Sequence, residues 1–191
     1  MAIERHRFDA LRSAESPRAV SAHQLFQTPE PIAARLVSLC GDLTGKRILE
    51  PSAGLGRIYR ALRARTDAPV TLVELAPQCM AELYRQTAHD DAATLVQGDF
   101  LACDADRLGG LFDVVVMNPP FERGLDVRHL FHSVSLLRPG GVVVGLCYAG
   151  SKQRKAFEHA DDWTWELLPP GSFKAEGTTA DVALVTHRKT S

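Results

Sequence analysis

Short apolar runs alternate with amphipathic stretches along this chain, and that alternation constrains its fold more than any other feature. After Thr28, Pro29 and Pro31, the residues Ile32, Ala33, Leu36, Val37 and Leu39 recur at helical spacing until Cys40-Gly41. Proline in the first turn and glycine just past the last apolar residue bound a helix, with Thr28 as its expected N-cap. Apolar runs at 47–50, 70–74, 94–97, 112–117 and 142–148 read as strands, and amphipathic stretches at 57–65, 77–88 and 127–137 read as helices between them. Residues 152–159 read as a further helix, and 163–168 and 181–186 as two closing strands. The alternation predicts an α/β fold with about seven strands, mostly parallel and covered on both faces. The last two strands have no helix between them, so they are expected to form an antiparallel hairpin at one edge. A chain of 191 residues accommodates one such domain. It is placed at 26–191, behind an N-terminal helix or arm at 1–25.

Composition narrows the function classes. With 45% hydrophobic and 24% charged residues, the chain can bury a sizeable core. Its apolar runs are far too short to cross a bilayer, and Glu4, Arg5, His6 and Arg7 open a segment unlike a signal peptide. A cytoplasmic protein without a membrane partner is expected. Cys40, Cys79, Cys103 and Cys147 show no zinc-type spacing and read as small buried hydrophobes in a reducing compartment. His129 and His132 share a helix face but lack a third ligand, so no metal is expected. The net charge of −1 gives no global attraction to nucleic acid, so local patches must supply it.

In open parallel sheets ligands bind beyond the carboxyl ends of the strands, where the strand order reverses. The residues with chemical character fall there. The first strand runs into Glu50-Pro51-Ser52-Ala53-Gly54-Leu55-Gly56. Gly54 and Gly56 allow a tight turn and close approach of a ligand, so a side chain at Gly56 is expected to occupy ligand space. Glu74 ends the second strand, at the distance from the turn where a carboxylate accepts from ribose hydroxyls. Asp99 and Phe100 follow the third strand and offer an acceptor for an adenine amine and an aromatic wall; Asp99 also fits a cap of the next turn. These features leave NAD and S-adenosylmethionine both open.

Asn118-Pro119-Pro120-Phe121 follows the fourth strand. Two prolines fix the backbone and remove two N–H groups, which leaves carbonyls free to accept. The Asn118 side-chain oxygen and the Pro119 carbonyl can together accept both protons of a planar NH₂ group. Phe121 offers a face for a stacked base. Such a base would have to leave a duplex to be reached.

Leu49-Glu50-Pro51-Ser52-Ala53-Gly54-Leu55-Gly56 resembles motif I of the class I S-adenosylmethionine-dependent methyltransferases, in its amino-methylating form. Phe26-Gln27-Thr28-Pro29 resembles their motif X and Asn118-Pro119-Pro120-Phe121 their motif IV, in the gamma order of adenine-N6 enzymes. The resemblance implies a Rossmann-like doubly wound sheet and S-adenosyl-L-methionine as cofactor. By it, Phe26 and Thr28 lie at the cofactor's methionine end. Glu50, Pro51, Ala53, Gly54 and Gly56 face the amino-acid and sulfonium region. Glu74 and Leu75 lie at the ribose, Asp99 and Phe100 hold the adenine, and Asn118 borders both cofactor and target. Asn118, Pro119, Pro120 and Phe121 form the methyl-transfer site.

Motif IV specifies the planar amine and not the molecule that carries it. Adenine N6, guanine N2 and protein glutamine N5 all satisfy it. Glutamine-directed enzymes typically carry tyrosine where this chain has Phe121, and they place a helical domain before motif X. Gamma-order DNA enzymes usually carry a large target-recognition domain after the catalytic one. Its lack here leaves low specificity, a partner protein, or an RNA recognised by shape. Lys152, Arg154 and Lys155 after the fifth strand, Lys174 between the last two strands, and Arg123 are candidate phosphate contacts. Arg57, Arg60, Arg63 and Arg65 form a second basic cluster, read as solvated surface. Base methylation leads, with the motif order favouring DNA over RNA; a non-catalytic methyltransferase-like subunit is the reading from another class.

Overall fold

The structure, a computed structural model, describes residues 27–158, 160 and 162–190, so the expected N-terminal arm and Phe26 lie outside the described residues. The elements in chain order are α1 (Glu30–Leu39), β1 (Ile48–Pro51), α2 (Arg57–Arg63), β2 (Val70–Glu74), α3 (Pro77–Thr87), β3 (Ala93–Gln97) and β4 (Phe112–Met117). They continue with α4 (Leu125–Ser135), β5 (Leu137–Tyr148), α5 (Ser151–Glu158), β6 (Trp163–Leu167) and β7 (Val182–Arg188). Seven strands form one sheet in the order β3-β2-β1-β4-β5-β7-β6. The pairs among β1 to β5 are parallel, while β7 runs antiparallel to both β5 and β6. The expected hairpin is there, with β6 at the edge and β7 inserted against β5.

Alternate side chains send the sheet's two faces into two cores. Ile48, Val114, Val116, Val144 and Leu146 pack with Leu36 of α1, Ile58 and Leu62 of α2, and Leu83 of α3. Leu49, Val73, Val115, Val143 and Cys147 pack with Leu130 of α4 and Phe157 of α5. Every residue of β1 and β2 is buried, while the edge strands β3 and β6 are only half covered. Each fully buried Leu, Ile or Val in these layers contributes about 1.5–3 kcal/mol. All four cysteines are buried thiols, and burial pushes Cys40 up to about 12.

Four local expectations need correction. Thr28 is not the cap of α1: Pro29 holds that position, and its carbonyl accepts from the Ile32 and Ala33 N–H groups at 2.9 Å each. The first crossover helix stops at Arg63, because the Arg65 N–H turns back to the Leu62 carbonyl at 2.8 Å. The helix expected to reach residue 137 stops at Ser135, since Leu136 and Leu137 turn into the core. The last correction concerns β5, which begins at Leu137 and not at Val142. Pro139 and Gly140 do not end the pairing: the ladder shifts register opposite Phe112 and Val114, and Gly140 at φ 77° donates to the Lys189 carbonyl at 2.9 Å.

Strand order reverses between β1 and β4, whose carboxyl ends point the same way. Leu49 pairs with Val115, so Glu50 and Asn118 close adjacent strands at that crevice. The pairing of Tyr148 with Val182, and of Leu167 with Ala183, puts the β6–β7 connection at the same edge as the start of α5.

Candidate active site

The turn after β1 holds three residues in the left-handed region: Ser52 at φ 64°, Gly54 at 55° and Gly56 at 73°. The Ala53 N–H is anchored to the Val73 carbonyl at 3.0 Å. Glu74 closes the turn from β2. Its Oε2 accepts the Gly54 N–H at 2.7 Å and its Oε1 the Ala76 N–H at 2.8 Å. The carboxylate expected at a ribose therefore also fixes the turn that precedes it by 20 residues.

Glu50 is 1% exposed, and its Oε2 makes no hydrogen bond. Burial pushes its carboxyl well above the usual carboxylate range, the Glu74 charge pushes it further, and Arg60 opposes both. A cation placed beside Glu50 would relieve that desolvation. The two glycines differ. A Cβ on Gly54 would meet nothing within 4 Å, so that flank of the turn is open. A Cβ on Gly56 would stand 2.5 Å from Gln86 Oε1 and 3.2 Å from Leu83 Cδ2. This corrects the expectation of ligand space at Gly56, which instead caps α2 and packs on α3. Pro51 and Ala53 are buried in the turn, and Leu75 beside Glu74 keeps 38% of its surface exposed.

Thr28 is buried, and Gln27 next to it accepts from Arg57 Nε at 2.8 Å. The segment resembling motif X is thus tied to the first residue after the glycine turn. Asp99 caps the short helix Phe100–Ala102 by accepting the Leu101 N–H at 2.9 Å. Phe100 is 3% exposed, with its ring 5.3 Å from His129 and 4.9 Å from His132. That packing puts the Phe100 ring, expected as an aromatic wall, in the core against α4.

Pro119 is buried, while Asn118, Pro120 and Phe121 are partly covered. Phe121 packs on the core of the α1–α3 face and opens a tight turn at Glu122–Gly124. Arg123 in that turn is exposed at φ 50°. Lys152 and Lys155 on α5 and Lys174 in the β6–β7 connection are exposed at the same edge of the sheet. Arg154 differs, being paired with Glu158 at 3.0 Å. The arginines on α2 and just after it are not idle surface charge. Arg60 donates to the Leu55 carbonyl at 3.0 Å, Arg63 binds Asp90, and Arg65 donates to the Val37 carbonyl at 2.9 Å.

Two side chains near the site were not singled out from the sequence as parts of it. His129 Nδ1 lies 3.2 Å from Ser52 Oγ, 77 residues away in the chain. Asp126, fully buried, accepts the Tyr148 N–H at 3.0 Å and so fastens the start of α4 to the end of β5. No pairwise spacing announces either contact.

No family model matches the chain. One sequence relative is the rRNA N(6)-adenosine-methyltransferase metl-5 of Caenorhabditis elegans, 28% identical over 149 residues, which cover 72% of this chain and 69% of that protein. Another is ribosomal RNA small subunit methyltransferase A of Zymomonas mobilis, 31% identical over 102 residues, or 53% of this chain and 36% of the relative's length. Among solved structures, a Pyrococcus horikoshii protein assigned as an RNA methyltransferase matches with a TM-score of 0.71 at 18% identity, covering 100% of both chains. The glycopeptide N-methyltransferase MtfA, solved with S-adenosyl-L-homocysteine, matches with a TM-score of 0.63 at 16% identity, covering 96% of this chain and 97% of its own. Fold and relatives define the class as an S-adenosylmethionine-dependent methyltransferase with a Rossmann-like sheet.

The residues present suit that cofactor. Its ammonium and sulfonium are cations, and Glu50 offers a buried carboxyl oxygen without a partner beside the open flank of Gly54. Among the described residues, no helix is long and apolar enough to cross a membrane.

Proposed function

We propose that this chain methylates the N6 amine of adenine in RNA. The observation that carries the reading is the placement of Asn118-Pro119-Pro120-Phe121 at the carboxyl end of β4, beside the strand whose end holds Glu50 and the glycine turn. S-adenosylmethionine, when bound, supplies an electrophilic methyl group. The chain's own part is to hold and orient the target. The Asn118 side-chain oxygen and the Pro119 carbonyl accept the two amine protons and turn the nitrogen lone pair toward the cofactor side. The rigid diproline keeps those acceptors in place without competing N–H donors. Phe121 stacks on the base. Alignment, more than a strong base, accounts for the rate.

The choice of RNA over DNA rests on the relatives. Two of them are named for ribosomal RNA and one for adenosine N6, which supports RNA adenine where the motif order alone favoured DNA. Arg123, Lys152, Lys155 and Lys174 ring the same edge and supply phosphate contacts. The test is transfer of tritiated methyl groups to deproteinised RNA, DNA and protein fractions, followed by nucleoside analysis. N6-methyladenosine from the RNA fraction is the expected product. Label confined to protein, or to DNA, would overturn the reading.

A further inference from the structure

Ser52 takes a left-handed conformation at φ 64° in a turn whose other left-handed positions are glycines. Glycine adopts that angle freely, whereas serine needs something to hold it there. Its hydroxyl meets His129 Nδ1 at 3.2 Å. Either tautomer makes the bond: Nδ1–H donates to the hydroxyl, or the hydroxyl donates to a bare Nδ1.

His129 stands on the inner side of α4, 6% exposed. Its ring lies 5.3 Å from that of Phe100, which follows β3. Its carbonyl accepts the Ser133 hydroxyl at 2.8 Å within the helix. Three segments of the site therefore meet at one side chain: the turn after β1, the turn after β3, and α4. The chain enters α4 directly from Asn118-Pro119-Pro120-Phe121 and the turn behind it. His129 thus belongs to the helix that seats the target loop while it holds the cofactor turn.

We infer that His129 is a positioning residue for cofactor binding, holding Ser52 in its left-handed conformation and Phe100 against α4. The inference rests on the assignment of S-adenosylmethionine to this pocket. Burial keeps the ring neutral by pushing it down to about 4; Asp99 opposes that shift, while His132 and Arg128 reinforce it. A neutral imidazole still bonds the Ser52 hydroxyl in either tautomer.

The test is a double-mutant cycle on the whole chain, read by calorimetric titration with S-adenosylhomocysteine and by thermal midpoint. His129→Phe keeps a ring against Phe100 but loses the bond to Ser52, and is expected to weaken binding about fivefold to tenfold. His129→Asn places an amide nitrogen near the Nδ1 position and should recover most of that loss. In a Ser52→Gly background the turn no longer needs the bond, so adding His129→Phe should change affinity by less than about twofold. Equal weakening by His129→Phe in both backgrounds would overturn the inference and leave His129 as packing only. A wild-type chain that binds no S-adenosylhomocysteine would overturn the cofactor assignment beneath it.

Discussion

Glu74 and Gly54 share a 2.7 Å hydrogen bond that spans the ends of β2 and β1, and the same carboxylate holds the Ala76 N–H. One side chain therefore shapes two backbone turns at the mouth of the crevice. Glu74→Ala should leave both N–H groups without this acceptor, costing about 1–3 kcal/mol of stability as well as cofactor affinity. Glu74→Gln keeps one acceptor oxygen and should lose less of each. Urea unfolding paired with S-adenosylhomocysteine titration measures the two effects separately.

The glycines of that turn should respond differently to substitution. A side chain on Gly56 runs into Gln86 and Leu83, so Gly56→Val should lower the melting midpoint more than a substitution at Gly54 does. Gly54 has open space, and Gly54→Ala should cost only the strain of its positive φ, about 1–2 kcal/mol. Its loss of cofactor affinity should exceed its loss of stability. Melting curves with and without S-adenosylhomocysteine distinguish these outcomes.

Acid should act on stability through His129. Its folded-state value of about 4 lies below the unfolded value near 6.5, so the unfolded chain takes up a proton first as pH falls. Stability linked to His129 is complete above about pH 6.5 and lost between there and about pH 4, amounting to about 2 kcal/mol by pH 5. Asp99 faces the ring and favours its proton, while His132 and Arg128 disfavour it. His129→Phe has no such titration, so the difference in unfolding free energy between wild type and variant should shrink from pH 7 to pH 5. A constant difference would refute the assignment of this titration to His129.

Phosphate contact predicts a salt dependence. Replacing Arg123, Lys152, Lys155 and Lys174 together with glutamine should flatten the log–log salt slope of RNA binding by about 3. Arg154, already paired with Glu158, should contribute less when replaced alone. An unchanged slope in the fourfold variant would return these residues to the solvated surface.

The layered fold was legible because strands buried along nearly their whole length, such as Val70–Glu74 and Phe112–Met117, leave mostly apolar runs. The site's position followed from it, since Glu50, Glu74, Asp99 and Asn118 each fall at or just beyond a strand's carboxyl end. The rest depended on packing between distant segments. Pro139-Gly140-Gly141 reads locally as a break, yet β4 pairs with Leu137 before it and Val142 after it, while the Lys189 backbone bonds Gly140 and Gly141 within it. Gly56 reads as a ligand-facing glycine, but what faces it is α3. Phe100 carries no local mark of burial, because the rings that enclose it come from α4.

Single-turnover methylation of RNA by Asn118→Ala, at saturating S-adenosylmethionine, tests the proposed transfer site most directly. Losing one oriented acceptor in a water-excluded site should cost about 3–4 kcal/mol, slowing the step roughly 10²–10³-fold. Affinity for S-adenosylhomocysteine should stay close to that of the wild type, since the lost oxygen serves the target amine. A near-native single-turnover rate would contradict the account of how this chain holds its substrate.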